Sequence, residues 1–245
     1  MSEPYYMSTY CEEHDFARNS SYGSNRDIVF STLRDRSSLG SYSNTTAGLG
    51  PDTVYGMFLC RGDISRTSCS DCVQSATLDM AENCTYRKEG FIFYEACMVR
   101  YSDFSFFTLD EDVPGTAVHS LIPSVNSTQF LKGILREKIR DLILRVTLSS
   151  PIPYFVEDQE RATHLERSFG IKTVVQCSPD LDPRNCTVCL RRAARDVSGS
   201  CCPSSQVVWA QSFLPKCLVH YNISGLPPDV VVSQPDVVGL GFTKG

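Results

Sequence analysis

The spacing of the cysteines limits what this chain can fold into more than any other feature of its sequence. The twelve cysteines fall into two sets of six, and the pattern Cys-x8-Cys-x2-Cys occurs once in each set. Four positions of the first set recur 117 residues later, and a fifth recurs with three extra residues in between. The two sets are Cys11, Cys60, Cys69, Cys72, Cys84 and Cys97, then Cys177, Cys186, Cys189, Cys201, Cys202 and Cys217. This repetition indicates a duplication and predicts two homologous domains.

The cysteines, together with candidate glycosylation sites, predict a secreted protein. Twelve cysteines in 245 residues exceed ordinary intracellular usage. Six Asn-x-Ser/Thr triplets, the acceptor sequence for N-linked glycans, accompany them. These triplets begin at Asn19, Asn44, Asn83, Asn126, Asn185 and Asn222. The chain opens without a secretion signal, so we expect that a leader has been removed.

Structural disulfides explain the cysteines better than a metal or a redox motif does. Zinc would need two paired knuckles at each site, whereas each repeat has a single Cys-x2-Cys. A thioredoxin-like reading of Cys69 and Cys72 leaves the other four cysteines of the repeat unexplained. Six cysteines allow fifteen pairings, and spacing alone does not choose among them. The adjacent Cys201 and Cys202 leave two alternatives open, a strained vicinal bridge or some other arrangement.

Charge and hydropathy exclude two classes of partner. The formal net charge is −5 and the sequence pI is near 5.4, whereas a nucleic-acid partner calls for a basic face. A membrane helix needs about 20 apolar residues, and the longest candidate, Leu142 to Leu148, is interrupted by Arg145. We therefore expect no nucleic-acid partner and no membrane segment in this chain, and no motif for a metal or another cofactor stands out.

Hydrophobic periodicity predicts an α+β fold in each repeat, with helices on one face of an antiparallel sheet. In the first repeat we expect a helix before Gly40, a strand at Val54–Cys60, a helix at Asp71–Ala81, and strands at Gly90–Ala96 and Met98–Phe107. In the second we expect a helix at Thr128–Val146 and strands at Ile152–Val156, Thr173–Cys177, Gln206–Phe213 and Cys217–Asn222. The predicted organisation is a first domain at 1–110, a linker at 111–124, a second domain at 125–226 and an extended tail at 227–245.

Three of these features resemble the plant ginkbilobin-homologous, or stress-antifungal, domain. They are the duplicated Cys-x8-Cys-x2-Cys, the run from Val54 to Asp63 and the pair Cys201-Cys202. Tandem copies occur in cysteine-rich receptor-like kinases, plasmodesmata-located proteins and cysteine-rich repeat secretory proteins. The resemblance covers about residues 5 to 225 and implies two helices packed on a five-stranded antiparallel sheet in each domain. It also implies the bridges Cys11–Cys84, Cys60–Cys69, Cys72–Cys97, Cys177–Cys186 and Cys189–Cys217.

The resemblance also implies where a sugar would bind if this chain had kept the family's mannose site. Ginkbilobin binds mannose with an Asn directly after the first cysteine, an Arg six residues before the last cysteine and a Glu five residues after it. The corresponding residues here are Glu12, Phe91 and Ser102 in the first copy, and Gln211 and Asn222 at the last two positions of the second. None of the three residues is kept in the first copy, so we expect that this mannose site is absent.

Binding rather than catalysis is the expected function, with an extracellular protein, glycan or small molecule of the plant apoplast as ligand. None of the four histidines, His14, His119, His164 and His220, stands beside a nucleophile motif. The alternatives are a lectin that uses another site and a thiol-redox sensor based on Cys201 and Cys202.

Two further features of the sequence are better explained without a binding role. The triplet Arg61-Gly62-Asp63 imitates an integrin ligand but is short enough to arise by chance. The aromatic residues fit a core better than a contact patch, and they are Phe104, Phe106, Phe107 and Trp209. Association with a second copy or with another protein is left open by the sequence.

Overall fold

The computed structural model describes residues 4–107, 114–123, 128–148, 154–164, 167–197, 205–225 and 236–240. The chain divides into two compact units, Met1–Leu109 and Asp110–Gly245. Each unit has its own apolar core, in which buried residues of two helices pack against one face of a sheet.

The first unit is a five-stranded antiparallel sheet with two helices. Its elements are β1 (Tyr6–Cys11), α1 (Tyr22–Ser37), β2 (Tyr42–Ala47), β3 (Val54–Cys60), α2 (Arg66–Asn83), β4 (Gly90–Tyr94) and β5 (Cys97–Ser102). The strand order is β1-β4-β5-β3-β2. Helix α2 begins where the Ser65 hydroxyl accepts a hydrogen bond of 3.0 Å from the backbone N–H of Ser68, a typical N-cap.

The second unit repeats this arrangement and adds one strand. Its elements are β6 (Gly115–Pro123), α3 (Thr128–Leu148), β7 (Phe155–His164), β8 (Arg167–Cys177), α4 (Pro183–Val197), β9 (Ser205–Leu214), β10 (Cys217–Ser224) and β11 (Asp236–Leu240). The strand order is β11-β6-β9-β10-β8-β7, so β6 to β10 occupy the places of β1 to β5. The predicted α+β class, with two helices on a five-stranded antiparallel sheet in each domain, is confirmed, and β11 extends the second sheet to six strands.

The segment predicted as a linker is instead largely a strand. Residues 115–123 of the predicted linker 111–124 form β6, which pairs with β9 and occupies the place that β1 has in the first unit. The run Pro114-Gly115 suggested a break, but the following residues alternate between the two faces of the sheet, and Ala117 and Val118 are buried. Part of the segment predicted as an extended tail likewise forms β11, which pairs with β6.

Strand β2 has no counterpart among the predicted elements because its sequence carries no apolar alternation. It reads Tyr-Ser-Asn-Thr-Thr-Ala and lies at the edge of the first sheet, where half-buried polar side chains are tolerated. Helix α2 begins five residues earlier and ends two residues later than predicted, since the polar residues of its first turn give no periodic signal.

Gly56 on β3 lies directly beneath α1, so we expect a side chain there to destabilise the first unit. A Cβ atom at Gly56 would lie 2.2 Å from Cγ1 of Val29, which is fully buried. We predict that Gly56→Ala lowers the free energy of unfolding by about 1–3 kcal/mol, the usual cost of overpacking a core. The control is Gly133→Ala in α3, where no atom lies within 4 Å. For this control we expect urea titrations to show a free energy of unfolding that is higher by about 0.5–1 kcal/mol, because alanine favours the helix. Equal effects of the two substitutions would contradict the packing shown here.

Candidate functional site

Disulfides join the helices to the central strands in both units. The first unit contains Cys11–Cys84, Cys60–Cys69 and Cys72–Cys97, and the second contains Cys177–Cys186 and Cys189–Cys217. These are the pairs that the family resemblance implies. In each unit two bridges tie the first two turns of α2 or α4 to the strand that precedes the helix and to the second strand after it, β5 or β10. Cys201 and Cys202 lie outside the described residues.

In the first unit, the residues at the three positions of the ginkbilobin mannose site have contacts within the protein. Phe91 is buried on β4 and faces Arg100 on the neighbouring strand, with the guanidinium carbon 4.4 Å from the ring centroid. Ser102 is fully buried, and its hydroxyl accepts a hydrogen bond of 3.3 Å from the backbone N–H of Phe104. The backbone N–H of Glu12 donates to the carbonyl of Glu89 at 3.1 Å. Packing and internal hydrogen bonds therefore occupy these positions.

Arg100 is the centre of a buried cluster at these positions. Its side chain is 1 % exposed and its guanidinium carbon lies 3.8 Å from the centroid of Phe106, close enough for a cation–π contact. Its Nη2 atom donates to Oε1 of Glu89 at 2.8 Å. Phe106 belongs to the segment after β5, which folds back over the sheet and places Phe107 5.7 Å from Tyr55, centroid to centroid. Phe106 is thus a core residue, whereas Phe104 is 42 % exposed.

The Glu89 carboxyl in this cluster holds a proton more tightly than an ordinary glutamate. Burial and the side-chain hydrogen bond with Glu12 raise the pKa of Glu89 from 4.5 to about 7, against the lowering effect of Arg100. The physical reason is that the Glu89 carboxyl is removed from water and hydrogen-bonded to a second carboxyl, that of Glu12, and these two effects outweigh the attraction of the Arg100 guanidinium. Above about pH 7 the charge of Arg100 is therefore balanced by ionised Glu89, whereas below about pH 7 Glu89 becomes protonated and this balance is lost.

In the second unit the two corresponding positions differ in exposure. Gln211 is fully buried on β9 and lies opposite His220 of β10. Asn222 is exposed and lies opposite the half-buried Trp209, whose ring centroid is 5.6 Å from that of His220. Of these two side chains only that of Asn222 reaches the surface, and the absence of the family's mannose site stays a prediction.

Within the triplet Arg61-Gly62-Asp63, the arginine and the aspartate form an ion pair with each other. Nε of Arg61 lies 2.6 Å from Oδ1 of Asp63, whose side chain is 5 % exposed, and Nη1 lies 3.2 Å from Glu95. Asp180 stands at the equivalent place of the second unit and pairs with the buried Lys216. Both aspartates therefore anchor the turn after a central strand, and an integrin-like display of the triplet has no structural support.

The glycosylation acceptors differ in accessibility. Asn19, Asn83 and Asn222 are exposed, Asn44 and Asn185 are half-buried, and Asn126 lies outside the described residues. Asn44 is on edge strand β2, where its amide donates to the Tyr42 hydroxyl at 3.0 Å. Carbohydrate at any of these positions remains a prediction, most favoured at the three exposed ones.

A cleft of about 280 Å³ opens between α3 and β7. Its lining consists of Ile134, Glu137, Lys138, Asp141, Leu142, Asp158 and Glu160. Nζ of Lys138 lies 2.5 Å from Asp158 and 2.6 Å from Glu160. Burial lowers the pKa of Lys138, but hydrogen bonds to the two carboxylates and their charges outweigh that effect and raise it overall. The cleft thus presents carboxylates around a fixed ammonium group, flanked by two apolar side chains.

Two classes of site receive no support in the part of the chain that the structure describes. Within it, no group of three or more His, Cys, Asp or Glu side chains is arranged to hold a metal ion. Across the same residues, no helix is long and apolar enough to cross a membrane.

The match to known families decides the identity of this duplicated, disulfide-bridged fold. A family model described as salt stress response/antifungal matches residues 10–104 and 128–224, one copy in each unit. The chain belongs to this family. The two salt stress response/antifungal domains of this chain contain all ten cysteines that form bridges in the described residues, and their number agrees with the two homologous domains that the cysteine spacing predicts.

Relatives of this salt stress response/antifungal protein are secretory. It is 55 % identical over 247 residues to cysteine-rich repeat secretory protein 5 of Arabidopsis thaliana, an alignment that covers 100 % of this chain and 88 % of that protein. It is 51 % identical over 239 residues to cysteine-rich repeat secretory protein 8 of the same plant, with 93 % and 83 % covered. The predicted extracellular location is confirmed by these relatives.

A solved structure has the same tandem arrangement. The tandem DUF26 ectodomain of the Arabidopsis thaliana cysteine-rich receptor-like protein PDLP5 matches with a TM-score of 0.64 and 25 % identity, over 90 % of this chain and 100 % of that one. The chain is thus a tandem extracellular module of the type found in secreted and receptor-like proteins.

Proposed function

We propose that this protein is an extracellular recognition module that binds a partner on its surface and catalyses no reaction. The observation that carries the proposal is that its two units keep one scaffold but display different surfaces. The bridges Cys60–Cys69 and Cys72–Cys97 have direct equivalents in Cys177–Cys186 and Cys189–Cys217. The exposed residues of the helices between these bridges have diverged.

The divergence is clearest in α2 and α4, which are equivalent helices. The exposed positions Thr67, Gln74 and Leu78 of α2 correspond to Arg184, Arg191 and Arg195 of α4. Exposed substitutions of this kind leave the core unchanged and alter what a surface can attract. A duplicated scaffold with one altered surface is suited to recognition.

The placement of the histidines supports a non-catalytic role. The side chain of His14 is 78 % exposed and its nearest carboxylate, that of Glu12, lies 4.0 Å away. His220 is buried against Trp209. Every cysteine in the described part of the chain is in a disulfide, so no Cys–His pair of the kind used in nucleophilic catalysis is formed there.

A pull-down from extracellular plant fluid, run beside a glycan array, tests the proposal. We expect the oxidised full-length chain to retain a specific partner in one of the two assays. Protein that has been reduced and alkylated should lose it, because the scaffold that presents the surface has been opened. Absence of binding in both assays, with folding verified by circular dichroism, would contradict a recognition function.

A lectin function at a new place is the second candidate, and the cleft between α3 and β7 favours it. Carboxylate and ammonium groups beside apolar side chains are the groups that recognise hydroxyl-rich ligands. We expect retention on a neutral cell-wall polysaccharide without retention on mannan, and loss of retention in Glu137→Gln. Retention on mannan, unaffected by that substitution, would count against the cleft.

A further inference from the structure

Three exposed arginines form one stripe along α4. Arg184, Arg191 and Arg195 are seven and four residues apart, which places them on one side of the helix at rises of about 10 Å and 6 Å. Among the residues that the structure describes, none of the three forms an ion pair. Asp196, which follows Arg195 in the chain, is half-buried and accepts a hydrogen bond of 2.9 Å from the Ser212 hydroxyl.

Two further arginines lie on the flank of α3 that is turned toward α4. Lys138 and Arg145 contact carboxylates of β7 and so define the opposite flank of α3. Arg136 and Arg140 point away from that flank, since they are about 160° or more from Lys138 around the helix. Both are exposed, and neither forms an ion pair within the described ranges. Because α3 and α4 pack side by side, the five arginines lie on one exposed face of the second unit, where the stripe on α4 is opposite the buried residues of that helix.

The acidic residues near this face do not neutralise it. Asp141 is already matched by Arg145, at 3.8 Å. Asp182 accepts hydrogen bonds from the backbone N–H groups of Arg184 and Asn185 at the start of α4, so its charge is used to cap the helix. Glu137 remains as an exposed carboxylate on α3. In a chain with a formal net charge of −5, this face is therefore a local concentration of positive charge.

We infer that the exposed face formed by the arginines of α3 and α4 binds a polysaccharide rich in uronate residues. The inference rests on the recognition function proposed above and names its ligand. A row of guanidinium groups spaced at about 6–10 Å suits a chain of repeated carboxylates, since arginine and carboxylate form paired hydrogen bonds. The extracellular location favours an acidic polysaccharide over nucleic acid. The equivalent positions of α2 carry no charge, so we assign the binding to the second unit.

Binding of the full-length chain to immobilised polygalacturonate tests the inference. We expect the double variant Arg191→Gln/Arg195→Gln to bind about tenfold more weakly or worse. The matched control is Gln74→Glu/Leu78→Glu at equivalent exposed positions of α2, which changes the net charge by the same two units and should leave binding unchanged. Binding of the unaltered chain should weaken steeply between 50 and 500 mM salt, because exposed charges are screened.

Several outcomes would overturn the inference. One is equal binding of the two double variants, and another is equal binding of the unaltered chain to fully methyl-esterified polygalacturonate, which carries no charge. Retention on vesicles of anionic phospholipid without retention on polygalacturonate would assign the arginine face to a membrane surface instead. If polygalacturonate fails while the pull-down from extracellular fluid yields a partner, this inference falls and the recognition function stands.

Discussion

Replacing Cys11 and Cys84 with alanine is expected to lower the free energy of unfolding of the first domain by about 4 kcal/mol. This bridge closes the longest loop among those described, with a sequence separation of 73 residues, and the conformational entropy that it removes from the unfolded chain grows with loop length. It also fixes the end of β1 to the end of α2, so its loss frees the edge strand. Urea titration of the isolated full-length protein measures the change.

The matched control for this prediction is the double variant Cys60→Ala/Cys69→Ala. Here the separation is only 9 residues, and we expect a loss of about 3 kcal/mol. The second domain, whose bridges are untouched in both variants, should keep its own transition. A larger loss from the short loop than from the long one would contradict the assignment of Cys11–Cys84 as the main cross-link of the first domain.

Replacing Arg100 with methionine is expected to lower the free energy of unfolding by about 3–5 kcal/mol at pH 8, because the buried charge of Glu89 is left without its partner. At pH 5 we expect the loss to be smaller, by on the order of 2 kcal/mol. The pKa of Glu89 lies at about 7 with Arg100 present, so at pH 5 the folded protein already holds this carboxyl protonated. Thermal or urea unfolding at the two pH values measures the difference.

The sign follows from the raised pKa of Glu89. A carboxyl that binds its proton more tightly in the folded state stabilises the fold below pH 4.5, and this contribution disappears as the pH rises through about 7. The control is the double variant Glu89→Gln/Arg100→Met, whose own stability should not change with the protonation of this carboxyl because the carboxyl is absent. If Arg100→Met alone lost the same free energy at pH 5 and pH 8, the ion pair would not be the source of its effect.

The fold could be predicted because the cysteine spacing repeats along the chain and because disulfide geometry restricts how the bridged elements can pack. Cys60 and Cys177 each end a central strand and Cys69 and Cys186 each lie in the first turn of a helix, so one pattern places two helices against two sheets. The second copy of β1 was misassigned as a linker since no cysteine marks it and proline and glycine precede it. Comparison with the first repeat, rather than local composition, is the signal that identifies β6.

The clusters that matter for the candidate sites were largely invisible in the sequence. Arg100 lies on the face of β5 opposite to Val99 and Tyr101, which pack in the core beneath the helices, so alternation along the strand does not indicate that it is buried. Its partner Glu89 lies outside any recognisable motif. Asp63 and Asp180 correspond in sequence, yet their cations come from different places, Arg61 in the same turn and Lys216 across the sheet. Such pairings depend on tertiary contacts, which spacing does not encode.

Mass spectrometry of the unreduced protein after proteolysis tests the central claim, that two copies of one cross-linked unit form this molecule. We predict linked peptides that join Cys11 to Cys84, Cys60 to Cys69, Cys72 to Cys97, Cys177 to Cys186 and Cys189 to Cys217. Free thiols at these ten positions, or links between the two sets, would contradict both the duplicated scaffold and the surfaces assigned to it.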